Sequence, residues 1–207
     1  MQTRDILYVL CGYLCGSVLF ARVFSQLFYH RDVTEDSEDK NPGTSNMFKC
    51  GGMLCGILTL LCDLAKGIIP VHMYIRGASD SDFGLTLALV IAAPVVGHIF
   101  PIFYKFKGGK AIAVSFGTLL GLFPVFLMPA LILAAAFLFF SLVIKVSPHY
   151  YRTMVAYGVA AVAIFIFSDS PFAVAVGFLI SAVTITVKLL RSTEEKDTLE
   201  VRAAWKH

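Results

Sequence analysis

Lys107-Gly108-Gly109-Lys110 stands directly before an apolar run that begins near Ala111. Backbone N–H groups at a helix N-terminus attract anions, glycines let a ligand approach the backbone, and a lysine adds a compact positive charge. Gly108, Gly109 and Lys110 are therefore candidates to hold a phosphate. The segment is not a P-loop, because the Walker spacing is absent and no strand is expected before it. A tight turn with lysines snorkelling at a membrane surface fits the same residues. Asn41-Pro42-Gly43-Thr44-Ser45-Asn46 is dense in turn formers and side-chain donors, and Lys49 follows one helical turn later. It can cradle an oxyanion, or it can cap the helix that follows.

His98 lies near the end of an apolar run, next to Gly97. Polar groups in such runs are costly and often functional, although a lone histidine also serves as a packing residue. Asp63 and Lys66 are three apart, so on a helix they share a face and can pair as a structural unit, with Gly67 beside them allowing close helix packing. The five cysteines lie in or beside apolar runs without histidine partners. They read as small packing residues, and no metal site is expected.

These residues need elements to carry them. The chain has 207 residues, 57% hydrophobic and 15% charged, with a mean hydropathy of +0.78. A soluble domain of this size exposes more charge. Apolar runs of about 20 residues read as membrane-spanning helices, and an open sheet edge is not satisfied in hydrocarbon. The expected fold is an all-α integral membrane protein with seven transmembrane helices, at approximately 6–29, 51–76, 83–103, 110–124, 127–145, 153–168 and 171–190. Residues 1–190 are expected to form a single transmembrane domain, with 191–207 a short polar tail. The first run continues through Phe28, longer than the core of a cleaved signal, and reads as a retained span.

Seven spans put the termini on opposite sides. Thirteen of the 17 Lys and Arg then share one side, against Arg4 and Arg76 on the other, with Arg22 and Lys66 inside spans. The positive-inside rule places the N-terminus outside and the C-terminus in the cytoplasm. The expected location is the cell (plasma) membrane, multi-pass, with 32–49 and the glycine–lysine loop at the cytoplasmic face. The net charge of +3 is not a nucleic-acid signature, and no nucleic-acid partner is expected. Oligomeric state is not legible.

GHIFPIFYKFKGGKAIA, Gly97 to Ala113, closely resembles the second signature of the bacterial acyl-phosphate:glycerol-3-phosphate acyltransferases, small seven-span membrane enzymes. Other pieces follow in the family's order. GSVLFA (Gly16 to Ala21) is similar to its first-span segment, and NPGTSNMFK to the end of its GSGNxGxTNxxR signature. DLAKG (Asp63 to Gly67) matches its DxxKG, and Lys145-Val146-Ser147 resembles its YVS-type segment. The resemblance implies acyl transfer from acyl phosphate to the 1-hydroxyl of glycerol 3-phosphate. The product is lysophosphatidate, released into membrane lipid as the first lipid of phospholipid synthesis. No metal or organic cofactor is implied. Gly108, Gly109 and Lys110 would hold a substrate phosphate. Asn41, Gly43, Ser45 and Asn46 stand where the family's first-loop binding residues stand, Lys49 replaces a phosphate-binding arginine, and Ser147 matches a serine near the phosphate. Asp39 and His98 are the catalytic candidates.

The chain also departs from the pattern. Asp39 takes the place of the serine in GSGN, where it can act as a base or hydrogen-bond acceptor. Val183 and Thr186 hold the places of the histidine and asparagine of a final HxxN signature. Asp32, Glu35, Asp36, Glu38 and Asp39 crowd the first loop with carboxylates that should repel anionic substrates unless they turn away or meet cations. His149, close to Ser147, is a candidate substitute for the missing histidine. Two readings follow: an acyltransferase, or a non-catalytic or substrate-shifted relative that binds a phosphorylated lipid precursor or a membrane partner. A transporter is a third, but no inverted repeat or broken helix pair is apparent.

Overall fold

The computed structural model describes residues 3–78, 83–192 and 198–203. The expected tail is thus described only in part, and its Lys196 and Lys206 lie outside the described residues. The helices are α1 (Thr3–Ser17), α2 (Phe20–Tyr29), α3 (Thr44–Cys50), α4 (Gly52–Arg76), α5 (Leu85–Ile99), α6 (Ile112–Leu120), α7 (Met128–Leu138), α8 (His149–Phe167) and α9 (Phe172–Leu190). A ribbon of two antiparallel strands, β1 (Ile144–Ser147) and β2 (Glu200–Ala203), pairs Ile144 with Ala203 and Ser147 with Glu200. Among the described residues the fold is therefore helical apart from this ribbon, whose first strand takes the end of the run expected at 127–145 and the loop after it, and whose second lies in the expected tail.

Among the described residues, five helical segments are long and apolar enough to cross a membrane: Thr3–Tyr29, Gly52–Arg76, Leu85–Tyr104, His149–Phe167 and Phe172–Leu190. The first joins α1 and α2 across a break at Val18 and Leu19. The runs expected at 110–124 and 127–145 form shorter helices. Helix α6, with 9 residues, rises only about 14 Å, against roughly 30 Å of hydrocarbon. Gly121 caps it, and Pro124 cannot continue a helical hydrogen-bond ladder. Helix α8 begins at His149, four residues before the expected 153, because Pro148 stands at its N-cap and proline favours helix starts.

Helix α5 is the most enclosed of the spans, with 67% of its apolar window buried. Its Leu87, Ile91 and Val95 are fully buried, and it packs against α1, α4, α6 and α9. Leu7, Leu54, Leu61, Leu142 and Phe165 are exposed on the outside. In a chain built of membrane-length helices these are the faces that meet lipid. Helices α4 and α6 meet through glycine on both sides. A Cβ on Gly67 would strike the Val114 carbonyl, and one on Gly117 the Leu64 carbonyl. This close approach holds the start of α6 beside Asp63.

Candidate active site

The polar residues singled out in the sequence converge on a cavity of about 600 Å³. Its walls come from the acidic loop, from α3, from Asp63 and His98, from Lys110 to Val114 at the start of α6, and from His149 and Arg152 on α8. Four polar atoms of lining residues, Asn41 Oδ1, Thr44 Oγ1, Asp63 Oδ1 and Arg152 Nε, are buried without a hydrogen-bond partner in the protein. Buried polar atoms are normally paired, so groups left open in a cavity mark a place where a ligand or water completes them.

The glycine–lysine loop folds back on the end of α5. Gly109 N–H donates to the His98 carbonyl at 3.1 Å and Gly108 N–H to the Ile99 carbonyl at 3.2 Å. These two amides are engaged within the protein, so direct phosphate binding by their N–H groups, as the sequence suggested, is not what this geometry offers. The glycines instead permit a close approach. A Cβ on Gly108 would strike the His98 carbonyl, and one on Gly109 the His98 ring. Lys110 is thereby carried to the cavity, and Ala111, in a left-handed conformation at φ 59°, starts α6. The first N–H groups of α6 have no partner inside the helix. Ile112, Ala113 and Val114 line the cavity, so the anion-attracting end of α6 faces it.

Opposite stands Asp39. Lys110 Nζ lies 2.8 Å from Asp39 Oδ2, with side-chain exposures of 9% and 7%. Asn46 Nδ2 donates to Asp39 Oδ1 at 2.6 Å, and Asn41 N–H to the same oxygen at 3.3 Å. Burial acts to raise this carboxyl's pKa; the bonds from Lys110 and Asn46 outweigh it and hold the group at about 2. Asn46 also bonds the Ser37 hydroxyl at 2.8 Å and the Asn41 carbonyl at 2.9 Å, so it fixes the loop as well as the carboxylate. Gly43 lies against Asn41, and a Cβ there would meet Asn41 Nδ2 at 2.7 Å. Lys40, at φ 48°, turns the chain between Asp39 and Asn41.

Three other carboxylates of the acidic loop meet cations locally. Asp32 pairs with Arg22 at 3.1 Å, Asp36 with Arg31 at 2.8 Å, and Glu35 with Lys40 at 3.8 Å. The repulsion that its composition suggested is thus met in part by partners, while Glu38 also lines the cavity. Lys49, Lys110 and Arg152 line the cavity, and Lys188 at the end of α9 lies within electrostatic reach of Lys110 and Asp39. These cations face Asp36, Glu38, Asp39 and Asp63 in the same wall, so the cavity carries both signs of charge.

At the inner end of the cavity, Asp63 pairs with Lys66 at 2.9 Å, with side chains 3% exposed. Lys66 also donates to the Val18 carbonyl at 2.6 Å and meets His98 Nδ1 at 2.7 Å. An ammonium has N–H donors and no acceptor, so the histidine nitrogen it meets must accept. A neutral lysine would leave the buried Asp63 carboxylate without its counter-charge. His98 therefore accepts at Nδ1 and carries its proton on Nε2, the ring atom that faces Gly109. The pair expected as structural is one part of a buried triad that sets the tautomer of His98.

Not every expected residue arrives. Asn41, Gly43, Ser45, Asn46 and Lys49 all line the cavity, but Ser147 is exposed on β1 and is not among its lining residues. Val183 points outward, 55% exposed, and Thr186 is not part of the wall. Arg152 is the residue that sequence reasoning missed. Its Nη2 bonds His149 Nδ1 at 2.9 Å. The signal was Pro148 before an i, i+3 His–Arg pair, visible only once the helix is started at 149.

A sequence profile described as glycerol-3-phosphate acyltransferase matches residues 6–195. The chain belongs to this family. Curated glycerol-3-phosphate acyltransferases resemble it in part. That of Albidiferax ferrireducens is 41% identical over 119 residues, 56% of this chain and 52% of that one. That of Pseudomonas paraeruginosa is 40% identical over 131 residues, 63% and 65%. That of Idiomarina loihiensis is 36% identical over 148 residues, 71% of each. The chain thus spans about half to two thirds of the length of the first two. A crystal structure of PlsY, an integral membrane glycerol 3-phosphate acyltransferase in its glycerol 3-phosphate form, superposes with a TM-score of 0.75 at 24% identity, covering 89% of this chain and 88% of that one.

Proposed function

We propose that this member of the family transfers a fatty acyl group from acyl phosphate to the 1-hydroxyl of glycerol 3-phosphate, giving lysophosphatidate and inorganic phosphate for phospholipid synthesis. The observation that carries the reading is the cavity in which Lys49, Lys110, Arg152 and the start of α6 face one another around Asp39. Both substrates carry a phosphate, and this wall offers more than one cationic position. The hydroxyl oxygen attacks the acyl carbon, the bond from that carbon to the phosphate oxygen breaks, and the hydroxyl proton ends on the departing phosphate. Acyl phosphate is already activated, so holding the partners in place and balancing charge on the leaving group account for much of the rate. Asp39 accepts a hydrogen bond from the attacking hydroxyl, and His98 Nε2–H supports the loop that presents Lys110.

Seven membrane crossings, with the N-terminus outside and the C-terminus in the cytoplasm, complete the reading. Helix α6 with the turn residues 121–125 that follow it, and the apolar run Met128–Val143, then make the fourth and fifth passages, and residues 1–190 act as one domain in the plasma membrane. The positive-inside count supports a cavity open to the cytoplasm and to the lipid beside it.

The test is transfer by purified protein in detergent, with palmitoyl phosphate as donor and glycerol 3-phosphate as acceptor. Lysophosphatidate is expected from the wild type and is lost in Lys110→Ala. Equal product from Lys110→Ala would remove Lys110 from the site. No product from folded wild type would sink the assignment.

A further inference from the structure

We propose that Asp39 is a tethered occupant of the anion site, an internal carboxylate that substrate phosphate must displace from Lys110. This rests on the acyltransferase reading for the identity of the incoming anion, but not for the contact itself. The carboxylate takes the bonds that a phosphate oxygen would take: the Lys110 ammonium at 2.8 Å, the Asn46 amide at 2.6 Å and the Asn41 backbone N–H at 3.3 Å. It does so inside the same cavity that Lys49, Arg152 and the first turn of α6 line. A donor cradle filled by its own carboxylate binds a free anion only after that contact opens.

The ordinary routes to opening it are closed. The carboxyl is held at about 2, so protonation does not release Lys110 anywhere near neutral pH. The remaining route is competition. An incoming dianion, drawn by the uncovered cations of the wall, takes Lys110 while Asp39 moves to face the neutral hydroxyl of the acceptor. One residue thereby limits anion affinity and readies the acceptor. Inorganic phosphate, which is also the product, meets the same competitor, so weak product retention follows.

The measurement is inorganic phosphate binding by isothermal titration calorimetry to the purified full chain in detergent, for wild type, Asp39→Ser, Asp39→Asn, Lys110→Ala and the double variant Asp39→Ser/Lys110→Ala. The contact predicts binding about tenfold tighter in Asp39→Ser, which corresponds to ~1.4 kcal/mol, with Asp39→Asn changing in the same direction. The gain should vanish in the Lys110→Ala background, because no cradle cation is left to liberate. Unchanged or weaker phosphate binding in both Asp39 variants, with melting temperatures near wild type, overturns the proposal. So does an equal gain with and without Lys110, which would reduce Asp39 to a source of general repulsion. Acyl transfer by the wild-type preparation is read separately. Transfer without tighter phosphate binding in the variants keeps the enzyme and loses this inference, and the converse loses the enzyme alone.

Discussion

One buried lysine ties three segments of the chain together. Lys66 holds Asp63, the Val18 carbonyl and His98 at once. Lys66→Met leaves a buried carboxylate without a counter-charge and is expected to cost about 3–5 kcal/mol. Thermal unfolding in detergent measures it. Replacing both partners, as Asp63→Leu/Lys66→Met, should restore part of that loss, since an apolar pair carries no unpaired charge. Asp39 makes a pH prediction. Its carboxyl lies at about 2 in the folded chain against an ordinary 3.8, so the unfolded chain binds more protons in that window and stability rises with pH there. The contribution is present above about pH 4 and is lost as pH falls toward 2. Asp39→Asn should flatten that part of an acid-unfolding curve, while a curve of unchanged slope would mean the carboxylate is not held as described. At this scale the sequence was informative about identity and poor about partners. The type and spacing of Asp63 and Lys66 announced a pair. That His98 closes a triad with it depends on α4 and α5 meeting, which no local pattern encodes.

The elements that bring these residues together do so by approach distance. Gly109 lies so close to His98 that a Cβ would enter the imidazole. Gly109→Ala is therefore expected to push the loop and Lys110 off position, with about a hundredfold loss of transfer, the scale of a misplacement near 1 Å. Gly158, with open space around it in α8, is the control: Gly158→Ala should leave transfer intact and stabilise the helix by roughly 0.5–1 kcal/mol. Lys40 offers the opposite test. It is exposed and left-handed at φ 48°, and its ion pair with Glu35 is long and solvent-facing. Lys40→Gly should raise the unfolding free energy by up to about 1 kcal/mol, because glycine adopts this backbone without the Cβ clash. Helix existence was legible wherever an apolar run was long. Helix ends were not. Starting α8 at 153 hid the His149–Arg152 pair, and only the reading of Pro148 as a cap exposes it. The β1–β2 ribbon left no signal in the sequence, since Ile144–Ser147 is four residues long and its partner lies more than fifty residues away.

For the molecule as a whole, the cavity sits where the acidic loop and the ends or starts of α3, α5, α6 and α8 meet, and α5 runs through the centre to hold them. The order of elements along the chain matters as well as their final arrangement. The first span is interrupted at Val18 and Leu19, and the carbonyl that the break leaves open is satisfied by Lys66 from α4. In hydrocarbon an unpaired backbone carbonyl is costly. The span formed by α1 and α2 therefore does not reach its final form before α4 is beside it. It must wait in a provisional state, straightened or incompletely inserted, until α4 brings its lysine. Insertion of this protein is in that sense a two-helix event, and the residue that orients the histidine of the cavity is also the one that completes the first crossing.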